Sequence, residues 1–100
     1  MHRMDREFLT RLWETHKHDN WPRVSSQHEG PLMTLDTVIS GCVVYFLDSQ
    51  EGLDEQRRNI VGDCLSDLES LELDLDEESR PYFQRLRELG TLLLITPHLS

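Results

Sequence analysis

Alanine, the strongest helix former, is absent from these 100 residues, so any helix here has to be read from the spacing of larger apolar side chains. Cysteine is scarce: Cys42 and Cys64 are the only two, and no Cys-x-x-Cys pair exists. That leaves no basis for a disulfide framework. Long apolar runs are missing too. The longest, Cys42 to Leu47, is six residues and too short to span a bilayer, and Met1-His2-Arg3-Met4-Asp5 has no signal-peptide stretch. No Gly-x-Ser-x-Gly, phosphate-binding glycine loop or His-Glu-x-x-His occurs. The expectation is a cytoplasmic protein that is not an enzyme and needs no cofactor.

What is present is negative charge, unevenly placed. Residues 32–79 hold thirteen acidic side chains against Arg57 and Arg58; residues 1–31 balance at five each; residues 80–100 hold three arginines and Glu88, giving −9 in all. Such a field repels nucleic acid and anionic membrane and attracts a basic protein surface. One hundred residues make one helical domain, 1–100, with one modest core.

Apolar spacing predicts four helices. The first covers about Asp5–His16, with Met4, Phe8, Leu9, Leu12, Trp13 and His16 on one stripe. The second covers about Leu35–Leu47: a strand would mix apolar residues with Ser40 and Gly41 on its faces, whereas a helix leaves only Val44 opposite the stripe, with Thr34 as N-cap and Asp36 in the first turn. The third covers about Asp54–Leu71, capped by Asp54, with Ile60, Val61, Cys64, Leu65, Leu68 and Leu71 in line. The fourth covers about Ser79–Ile95, opened by Pro81 and stopped by Pro97. The short turn Asp48–Gly52 implies an antiparallel pair. Residues 17–31, broken by Asn20-Trp21-Pro22 and Gly30-Pro31, read as a long loop. The fold expected is all-α: a small antiparallel bundle of about four helices with a long loop after the first, an orthogonal first helix being the main alternative.

Candidate sites follow from these faces. Asp63, Asp67 and, if the third helix continues, Asp74 form a carboxylate row beside its apolar stripe; Glu69, Glu72, Asp76, Glu77 and Glu78 add to the same end. This surface suits a cationic cleft in another protein, and the bland alternative is a solvated face partly neutralised by Arg80, Arg85 and Arg87. In Glu72–Glu78 the alternation would dock Leu73 and Leu75 on the core. No calcium loop fits Asp74–Ser79, which lacks the required glycine. His16, His18, Asp19 and His28 are poorly spaced for zinc and read as surface groups at a helix end. Cys42 and Cys64 read as buried thiols. Trp21 is either an exposed interface anchor or a lid folded on the bundle. Ser40 and Gly41, on the back of the second helix, would let another chain or the N-terminal loop approach closely, the loop being the simpler occupant.

In profile — short, acidic, cytosolic, helical, without chemistry of its own — the chain resembles bacterial immunity or inhibitor proteins, a likeness no single residue carries. It implies an inhibitor or antitoxin-like module that neutralises a partner with a basic surface or cleft by covering it. The alternative is a small structural or adaptor subunit that forms a homodimer through an apolar helix edge.

Overall fold

A computed structural model describes residues 2–49 and 52–96 and the side chains of 6–49 and 52–96. Four helices make up almost all of it: α1 (His2–His18), α2 (Ser26–Asp48), α3 (Glu55–Glu72) and α4 (Arg80–Ile95). Among the described residues there is no strand. The expected all-α class with four helices is therefore what forms. The side chain of Met4 in the first stripe, Gln50 and Glu51 of the second connection, and Pro97 lie outside what is described.

α4 is the hub, packing against α1, α2 and α3. It buries Tyr82, Phe83, Leu86, Leu89, Leu92 and Leu93, spaced so that most of its circumference meets another helix. Gly90 lies where α3 comes closest: a Cβ there would sit 2.7 Å from Leu65 Cδ2. α3 contributes Val61, Cys64 and Leu68, α2 contributes Leu32, Leu35, Ile39, Cys42, Val43 and Phe46, and α1 contributes Leu9. Asp54 caps α3 as expected, accepting the Arg57 amide at 2.7 Å. Gly52 has φ 78°, a left-handed conformation that glycine adopts without a steric penalty.

Three expectations fail, all from one misreading of α2. The long loop 17–31 is instead a seven-residue connection, 19–25, because α2 begins at Ser26 and runs through Gly30-Pro31. Pro31 lies in the second turn, where it forfeits one backbone hydrogen bond, and Gly30 before it has no Cβ to clash with the proline ring. Burial of Leu32 and Leu35 offsets that loss. Consequently Thr34 is no N-cap: it sits inside the helix with Oγ1 donating to Gly30 O at 3.1 Å. Asp36 lies in mid-helix rather than in the first turn.

Two further corrections concern 72–79. α3 ends at Glu72, so Asp74 is in the following turn and does not continue the Asp63–Asp67 row. Leu75 is buried, but Leu73 is 86% exposed.

Candidate functional site

The acidic surface is built by α3 and the connection to α4. Asp63 and Asp67 project from the exposed flank of α3 toward α2, Glu69 from its other exposed flank, and Glu77 and Glu78 from the turn before α4. Among the described residues none of these five has a cationic side chain within 4 Å. Glu72 differs: its side chain is nearly buried and pairs with Arg87 Nε at 2.8 Å. Asp74 lies 3.8 Å from His28 Nε2. Asp76 does local work, its Oδ1 accepting the Ser79 amide at 2.9 Å and the Ser79 hydroxyl at 3.0 Å. The Ser79 amide, more than any other group, holds the Asp76 carboxyl below its ordinary value of 3.8.

The arginines explain why the five acids stay uncompensated. Arg80 donates to Leu75 O at 2.6 Å, Arg58 to Leu94 O at 2.9 Å and Arg6 to Leu47 O at 3.0 Å. The last two occupy carbonyls at the C-terminal ends of α4 and α2, where a cation also meets the negative end of the helix dipole. Arg85 turns the other way, toward α1. Of the three α4 arginines expected to neutralise the acidic end, only Arg87 pairs with a carboxylate there.

Arg85 belongs to a polar chain, buried at His16, that sequence reasoning missed. It donates through Nη2 to Asp19 Oδ2 at 2.6 Å and through Nε to His16 Nδ1 at 3.1 Å. A guanidinium only donates, so Nδ1 must accept, and the ring is the tautomer protonated at Nε2. Nε2–H then donates to Asp36 Oδ1 at 2.7 Å, while the Tyr82 hydroxyl donates to Asp36 Oδ2 at 3.2 Å. The Arg85 hydrogen bond lowers the Asp19 pKa, while burial, and then the Asp36 charge, push the Tyr82 hydroxyl up. His16 is 3% exposed, and both ring nitrogens are committed. A carboxylate–imidazole pair of this kind orients a general base where the far nitrogen is free; here Arg85 occupies it. The chain ties α1, α2 and α4 together. Its sequence signal was His16 on the apolar stripe, where a polar ring requires partners.

The remaining histidine calls for less. His18 is exposed beside Glu14, away from His16, and among the described residues no three His, Cys, Asp or Glu side chains gather as metal ligands. Cys42 and Cys64 are free and buried, and burial raises both thiol pKa values. Trp21 is half-buried, edge-on to Tyr82 and Phe83 with ring centroids 5.6 and 5.5 Å away.

α2 presents the other feature of note. On its outer side Gly30, Met33, Thr34, Thr37, Gly41 and Val44 fall within an arc of about 100°, all exposed and all uncharged. No loop covers Gly41: a Cβ there, as at Gly30, would meet nothing within 4 Å. This face borders a groove of about 480 Å³ lined by Pro31, Thr34 and Leu35 of α2 and Asp67, Ser70 and Leu71 of α3. Among the described residues α2 alone has the length and composition to cross a membrane, properties a core helix shares, and six of its residues are buried.

No protein-family model, curated protein or solved structure matches this chain.

Proposed function

We propose that the protein is an acidic binding module of the inhibitor or immunity kind, which docks on a basic surface or cleft of a partner protein. The observation that carries this reading is the set of five exposed carboxylates, Asp63, Asp67, Glu69, Glu77 and Glu78, left without counter-ions while Arg58 and Arg80 serve backbone carbonyls, Arg85 the His16 chain and Arg87 Glu72. Uncompensated charge of this kind steers encounter more than it deepens affinity. The bundle is read as antiparallel. Tyr45 near the end of α2 stacks on Arg57 near the start of α3 at 3.9 Å, and the start of α2 shares its groove with the end of α3. The module acts in the cytoplasm, without catalysis or cofactor.

The test begins with the partner, purified from native lysate at low salt and identified. Association rates are then compared for the wild type and a variant with Asp63→Asn, Asp67→Asn, Glu69→Gln, Glu77→Gln and Glu78→Gln. The expected outcome is association slowed by about tenfold or more at low ionic strength, with the difference shrinking as salt rises. Equal rates at both salts would reduce the acidic face to a solvated surface.

The homodimer reading draws on the uncharged outer face of α2, where Met33 is 50% and Val44 44% exposed. Sedimentation equilibrium at increasing concentration decides it.

A further inference from the structure

The α2–α3 groove and the outer face of α2 share a boundary, and their chemistry is one-sided. The α2 side carries no charge between Glu29 and Asp48 apart from Asp36, which is engaged by His16 and Tyr82. The α3 side carries Asp67 in the groove wall and exposed Asp63 one turn away, neither with a cation nearby. Between them Leu35 and Leu71 supply apolar lining. An occupant matched to this surface has an apolar stripe with cations along one edge only.

We infer that this surface receives an amphipathic helix of the partner, its basic edge lying along α3. This rests on the acidic-module reading above and gives it a docking surface. Charge complementarity selects the occupant. A second copy brings the same uncharged face and the same carboxylates, with no cation to meet them, and each chain carries −9. An extended segment would leave most of its backbone amides and carbonyls unpaired against a face that offers few hydroxyl partners, Thr34, Thr37 and Ser70; a helix satisfies its own backbone. The length fits: Gly30 to Val44 spans about 21 Å of helix axis. Gly30 and Gly41, eleven residues or about three turns apart, sit where a crossing helix would come nearest, and at Gly41 no side chain packed against α2 requires glycine.

The probe is a synthetic leucine–lysine peptide of about eighteen residues in helical period, with a scrambled peptide of the same composition as control. Amide resonances of the ¹⁵N-labelled protein report the location. Binding should perturb residues 30–44 and 63–71 in preference to 72–79, and the scrambled peptide should not reproduce that pattern. Gly41→Leu should weaken binding about tenfold or more while leaving the free protein's spectrum folded, and Asp63→Asn with Asp67→Asn should flatten its salt dependence. Shifts concentrated on 72–79, or Gly41→Leu without effect, would overturn the groove while leaving the acidic reading intact. If the five-site charge variant also bound normally, both would fall. A dimer in sedimentation that Gly41→Leu dissociates, or binding to phosphatidylcholine vesicles that it abolishes, would replace the proposed occupant.

Discussion

His16 shows what a single side chain's surroundings decide. At the end of an exposed helix it would be a solvated ring with no fixed partner. Buried, it has both ring nitrogens bonded, and its loss would leave Asp36 Oδ1 and Arg85 Nε facing an apolar group. We expect His16→Phe, which keeps a ring in the space, to cost about 1–3 kcal/mol in urea unfolding, the usual penalty for stranded partners. Adding Asp36→Leu should cost less than the sum of the two single changes, since the second removes an acceptor already stranded. Strict additivity would mean that the two groups do not depend on each other. None of this chain was legible by spacing alone, because Asp36 and Arg85 lie 20 and 69 residues from His16. Such pairings come from topology, which periodicity does not encode.

At the scale of the element, α3 and α4 were readable to within a residue or two, because regular apolar stripes coincide with end signals, Asp54 before one and Pro81 opening the other. α2 was not, since Gly30-Pro31 carries the local signature of a break while burial of Leu32 and Leu35 favours helix. Tertiary packing won over local preference. The acidic residues were found by composition, but which of them are free depended on where each arginine turned. The turn before α4 permits a test with a definite sign. Its folded-state contacts lower the Asp76 pKa, so ionised Asp76 stabilises the fold above its unfolded value of about 3.8, and that contribution disappears as pH falls through the lower folded value. Asp76→Asn retains an acceptor for the Ser79 amide but cannot titrate. The variant should therefore unfold at lower urea than the wild type at pH 6, and the gap should close as the pH falls below the ordinary value of 3.8. A gap independent of pH would mean that the hydrogen bond matters and the charge does not.

Across the whole molecule, charge works against compactness. The chain carries −9 on a body 43 × 25 × 18 Å in extent, so its free carboxylates lie within a few screening lengths of one another at low salt. Salt has two opposed effects. It weakens Arg85–Asp19, Arg57–Asp54 and Lys17–Glu14, all partly exposed, and exposed pairs of this kind contribute about 0–1 kcal/mol each. It also screens the net repulsion, which acts among all the acids rather than between neighbours. With an excess of nine negative charges and few attractive pairs to lose, the second effect should dominate. We expect the thermal midpoint to rise between about 10 mM and about 150 mM sodium chloride, as the screening length falls from about 30 Å to about 8 Å. The variant neutralised at Asp63, Asp67, Glu69, Glu77 and Glu78 should start from a higher midpoint at low salt and respond less to added salt. The same five substitutions would then stabilise the protein and slow its association, a pairing that places the stability cost of these acids on the binding surface. If instead the variant is less stable than the wild type at low salt, the acids hold the fold together through contacts of their own, and the argument that they are kept for a partner fails.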